Sequence, residues 1–73
     1  MHTATRALLA HFTYDHLPEH LQGVSRPFCE LAHDMAGRLD GPECTVGLRK
    51  LLEAKDCMVR AALSLPTMAD PAS

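Results

Sequence analysis

The chain has 73 residues, seven basic and nine acidic, for a formal net charge of −2. A chain this short is one domain at most and buries only about 60% of the surface its unfolded form exposes, so oligomerisation is an expected remedy. The charge excludes the strongly basic footprint of a DNA-binding protein, and no run approaches the roughly 18 apolar residues of a membrane span.

Residues 1–11 include Thr5-Arg6-Ala7-Leu8-Leu9-Ala10, enough for one or two helical turns that are marginal in isolation. This opening stretch has no long apolar run of the secretory type. Cys29, Cys44 and Cys57 are an odd set. They read as reduced, packed thiols in a cytoplasmic protein. Phe12-Thr13-Tyr14 is β-prone, but no partner strand is visible elsewhere, so it reads as an extended arm. Aromatics just before a helix either staple onto it or offer a stacking platform for a base.

Pro18 and Glu19 suit the first turn of a helix. Gly23 is a candidate stop, with Ser25 as the N-cap of a following helix; the alternative is one longer helix that is irregular from Gly23 to Pro27. Beyond this point Phe28, Leu31, Ala32, Met35, Ala36 and Leu39 recur at helical spacing on one apolar stripe. Asp40-Gly41 breaks the pattern. Pro42 and Glu43 then open a second helix running to about Ser64. Val46, Leu48, Leu51, Leu52, Met58, Val59 and Leu63 occupy more than one stripe of that helix, which therefore needs more than one packing partner. Pro66 ends it, and 66–73 is expected to be a disordered tail.

The expected fold is all-α: an antiparallel two-helix hairpin over 12–65 with an extended N-terminal arm, assembling into a helical oligomer. Catalysis is not expected, because neither Asp15-His16 nor Glu30, His33 and Asp34 has the spacing of a nucleophile–base pair or of paired carboxylates. Cys29 and His33, four apart, supply two of the four ligands a structural metal wants, so neither a metal nor another cofactor is expected. Among the cations, Arg49 with Glu53 and Asp56 with Arg60 are i,i+4 pairs on a solvated face. Lys55 lies on an otherwise buried stripe, where it either snorkels to water or meets an anion or acid across an interface.

Phe12-Thr13-Tyr14, an Arg opening an Ala/Leu-striped helix, Glu43 after the turn, and Leu48-Arg49-Lys50-Leu51-Leu52-Glu53-Ala54 leading into an Ala-rich helix end together resemble the hairpin domain of phage cyclic-nucleotide sponges. These proteins counter the CBASS and Thoeris immune systems by sequestering signalling nucleotides. The resemblance spans roughly 12–64 and implies a homo-oligomer, from dimer to hexamer, acting in the cytoplasm of the infected host. Its ligands would be cyclic dinucleotides, cyclic trinucleotides or cyclic ADP-ribose isomers, held between subunits without cleavage. It implies stacking by Tyr14 and a phosphate contact from Arg26. His16, Phe12, Lys50, Lys55 and Arg60 are further candidates for the site. The chain departs from the family pattern where Asp15 separates Tyr14 from His16, where Pro42 and Cys44 flank the turn Glu, and where Pro27 and Phe28 follow Arg26. The alternative function is a small helical scaffold or protein-interaction module.

Overall fold

The computed structural model describes residues 3–65. These form three helices, α1 (Thr3–Ala10), α2 (Glu19–Arg38) and α3 (Pro42–Ser64), with no strand among the described residues. The expectation of a disordered tail at 66–73 lies outside them. No described helix is long and apolar enough to cross a membrane.

α3 has the expected bounds, for reasons local to the sequence. Pro42 fills a first-turn position where its missing N–H costs nothing, and Glu43 sits in the same turn. The residue before it, Gly41, has φ +96°, a left-handed conformation that a side chain at this position would strain. Asp40 Oδ1 accepts a hydrogen bond from the Gly41 N–H at 2.8 Å. The Gly41 carbonyl accepts one from Thr45 N at 3.2 Å. Three residues, 39–41, therefore turn the chain from α2 into α3, and the two helices pack in a hairpin-like pair.

α2 decides between the two readings open for it, in favour of the single longer helix. Gly23 does not end the helix and Ser25 does not cap a new one: the helix is continuous from Glu19 to Arg38, with Pro27 inside it. Pro27 has no N–H to give the Gly23 carbonyl, and its ring crowds that same group. With glycine at that position, the backbone has its greatest freedom to accommodate the crowding. Ser25 instead points inward: it is fully buried and its Oγ has no hydrogen-bond partner. A buried hydroxyl without a partner costs about 1–3 kcal/mol. Ser25→Ala, which removes that hydroxyl, is accordingly expected to raise the thermal midpoint, by about 1 kcal/mol of stability; a fall would show that the hydroxyl is bonded after all.

The third helix is the main departure from a two-helix hairpin. α1 packs against both α2 and α3. The core consists of Leu9 and Phe12 from the N-terminal segment, Ala32 from α2 and Leu48 from α3. Phe12 is fully buried. Its segment is not an extended arm but a folded connector, with turns at 11–12 and 15–16. The first is closed by bonds from His11 N to Leu8 O and from Phe12 N to Leu9 O, both 3.0 Å. With its ring in the core, the chain gains the apolar burial that two helices alone would lack.

Candidate ligand-binding site

The sequence candidates divide into three groups by where the fold puts them. Tyr14 and His16 stand on the connector between α1 and α2, Tyr14 half-buried and His16 exposed. Phe12 belongs to the core and offers no face to a ligand, which removes it from the site. Arg26 lies on α2, exposed, with its Nε 3.6 Å from Glu30 Oε2. That pair is open to water on both sides, and such pairs contribute at most about 1 kcal/mol. A stronger anion would readily compete for the guanidinium.

One residue not singled out in the sequence holds the connector in place. Gln22 Nε2 donates to the Leu17 carbonyl at 2.8 Å and approaches the Asp15 carbonyl at 3.5 Å. A further turn bond runs from Leu17 N to Tyr14 O at 3.0 Å. The connector is thus pinned to the first turn of α2. Arg26 is four residues beyond Gln22, so it lies one turn along the same helix face. The latch thus ties the connector that carries Tyr14 to the helix that carries Arg26. A Gln in an apparently polar helix start gives no periodic signal, and only its reach back to the connector shows what it does.

The α3 cations do not converge. At about 100° per residue, Lys50, Lys55 and Arg60 are separated by about 140° steps around the helix. Lys50 is exposed. Lys55 keeps only 12% of its side chain exposed and pairs with Asp56 Oδ1 at 3.0 Å. This is neither of the two readings open for it: the charge is met by a neighbouring carboxylate of the same chain. Arg60 does not pair with Asp56 as its spacing implied; its Nη2 lies 3.4 Å from Cys57 Sγ. The three therefore cannot serve one ligand on a single chain.

Cys29 and His33 do meet, with Sγ 3.6 Å from Nδ1. However, Nδ1 also lies 2.9 Å from the Cys29 carbonyl, which can only accept, so that ring nitrogen carries the proton. The Cys29 thiol is pushed above its usual pKa by burial and by the negative charge of Glu30. Both features work against a thiolate–imidazole pair poised for chemistry. Among the described residues no three His, Cys, Asp or Glu gather as a metal would require.

A concavity lies elsewhere, a groove of about 500 Å³ between α2 and α3. Leu31, Met35 and Leu39 form one wall, Cys44, Gly47 and Leu51 the other, with Asp40 and Glu43 at its end. The broad α2 stripe read from the sequence is split by this groove. Ala32 is buried, with Phe28 and Ala36 packed against the core, whereas Leu31 and Leu39 are 44% and 57% exposed. No known protein family, curated protein or solved structure matches the chain.

Proposed function

We propose that this chain is a non-enzymatic, phage-type binder that sequesters cyclic oligonucleotide messengers between subunits in the cytoplasm of an infected bacterium. The observation that carries the reading is the Gln22 latch, which ties the connector bearing half-buried Tyr14 to the first turn of the helix bearing exposed, weakly paired Arg26. A stacking ring beside a guanidinium suits a nucleobase and its phosphate. The resemblance to the sponge hairpin domain over 12–64 points to the same two residues. A two-fold interface presents each residue twice, which matches a ligand with two bases and two phosphates. A chain of this size has little room for an enclosed pocket, and pairing can make one. The groove at the far end of the hairpin is apolar and flanked by Asp40 and Glu43, carboxylates that repel phosphate.

The test is native mass spectrometry of the full chain with a panel of cyclic dinucleotides, cyclic trinucleotides and cyclic ADP-ribose isomers. An oligomer that gains intact ligand masses is expected. Tyr14→Ala and Arg26→Ala should each weaken binding about 10- to 100-fold, since a stacked base is worth about 1–3 kcal/mol and a charge-assisted contact is of similar size, while the oligomer persists. Unchanged affinity in both variants would sink the assignment.

A second reading, a helical scaffold or protein-interaction module, is favoured by the exposed apolar groove itself. The same experiment separates the two, because a scaffold takes up no nucleotide and its melting midpoint ignores the panel.

A further inference from the structure

The α2–α3 pair has two sides, and α1 takes only one of them. Neighbouring residues on a helix stand about 100° apart. Met35 and Ala36 therefore fall on opposite sides of buried Ala32, and Leu51 and Leu52 on opposite sides of buried Leu48. Ala36 and Leu52 pack against the core that Leu9 and Phe12 complete. Met35 and Leu51 line the groove on the other side, to which α1 contributes no residue. Leu51 and Cys44 also rest against the core, so they belong to the floor of the groove. What stands open is its α2 wall, with Leu31 and Leu39 exposed, and the gap at Gly47. A methyl group added at Gly47 would meet nothing within 4 Å, so the packing of this chain leaves room there.

The groove has a polarity. Asp40 and Glu43 stand at its turn end, and no Lys or Arg lines it. Neither carboxylate has a cationic partner among the described residues, whose ion pairs are Arg26–Glu30, Arg38–Asp34 and Lys55–Asp56. From Leu31 to Leu39 the wall rises about 12 Å, just over two helical turns. α1 has eight residues and is therefore about as long. It docks on the other side through Leu8 and Leu9, so the α2–α3 pair already seats one helix of this length.

We infer that the groove seats a short amphipathic helix of another protein, with apolar anchors at i, i+4 and i+7 and a Lys or Arg in its first turn, which enters with that end towards Asp40 and Glu43. The positive pole of the incoming helix then adds to the charge of its basic side chain at the two carboxylates. The inference rests on the second reading under the proposed function, to which it gives a partner, and not on the first, since the groove shares no residue with Tyr14 and Arg26. Two occupants closer at hand fit less well. Residues 66–73 carry a single charge, Asp70, which the carboxylates oppose. A second copy offers α2 and α3, which open on the acids Glu19 and Glu43, and α1, which buries Leu9 in its own core.

Fluorescence anisotropy of labelled helical peptides with the full chain tests this. The probes come from a library selected on the chain, in which the anchors vary among apolar residues and the first-turn position among Lys, Arg, Gln and Glu. Selected peptides are expected to carry Lys or Arg there, and replacing it with Glu should weaken binding about tenfold. Selection of Glu, or no change on the replacement, would overturn the inference and leave an interaction module of other chemistry standing. Failure of every peptide to bind would overturn the inference and take the groove away from that reading too. Gly47→Leu fills the groove; it should weaken binding about tenfold and raise the thermal midpoint, because the position is open and glycine weakens the middle of a helix. Unchanged binding would overturn the inference. Glu43→Gln guards against a packing defect in that variant: it alters little volume and should weaken the basic peptide several-fold while sparing its Gln version. Self-association of the bare chain that Gly47→Leu abolishes would give the groove to a second copy and overturn the inference. Nucleotide uptake is read separately by native mass spectrometry, so neither result decides the other.

Discussion

Phe12→Ala is expected to lower the unfolding free energy by about 3–5 kcal/mol, the usual cost of emptying an aromatic from a core. Stabilities run at roughly 0.05–0.15 kcal/mol per residue, so a chain of 73 residues would lose most of what it has. The reason is geometric. Phe12 is fully buried among Leu9, Ala32 and Leu48, one contact from each helix, and none of these neighbours is large enough to fill the space it leaves. Urea unfolding followed by circular dichroism measures the change. If Phe12 were instead a surface stacking group, the substitution would leave the unfolding midpoint in place and change only ligand affinity. Phe12→Leu, which retains much of the volume, should recover more than half of the loss.

Pro27→Ala is expected to act in the opposite direction. A proline inside a helix costs about 3 kcal/mol relative to alanine, through the missing hydrogen bond and the crowding of the carbonyl four residues earlier. In α2 that carbonyl belongs to Gly23, and alanine restores its donor. Against this, proline stiffens the unfolded chain by about 0.4–1 kcal/mol, which the substitution surrenders. The net gain is therefore about 2 kcal/mol, and at about 4–8 °C per kcal/mol for a domain of this size the thermal midpoint should rise by roughly 10 °C. An unchanged or lower midpoint would mean that the Pro27 ring is packed well enough to offset the bond it removes. The same melt, repeated with nucleotide, reports whether the geometry of Arg26, directly before the proline, matters for binding.

The parts of the fold legible in the sequence are those set by local chemistry. Asp40-Gly41-Pro42 marks the turn because only glycine tolerates the backbone there and proline suits the following helix start. The α3 limits follow directly. α2 was harder, since Gly23, Ser25 and Pro27 are each helix-ending signals taken singly. Leu21 is buried on one side of them and Ala32 on the other, so both halves of the helix are held by packing, which overrides the local preference. The role of α1 was not legible at all: eight residues are marginal as an isolated helix, and its stability comes from Leu9 and Phe12 reaching a core built by later elements. For the candidate site, Tyr14 and Arg26 were recognisable by residue type and by resemblance. Gln22 was not, because its contribution is a side-chain bond to a segment five to seven residues earlier.

The connector bearing Tyr14 is held at two points, Phe12 in the core and the Gln22 bonds to the loop. Its opening would withdraw Leu9 and Phe12 from the core but leave the larger α2–α3 contact, since α1 makes the smaller share of the interhelical packing. Proteins exchange amide hydrogens through such partial openings, each with its own free energy. Amides of α1 and of residues 12–17 should therefore exchange as one group, ahead of the centre of α3. A ligand stacked on Tyr14 would slow that group alone, so hydrogen exchange would register occupancy of the site as the closing of this one flap.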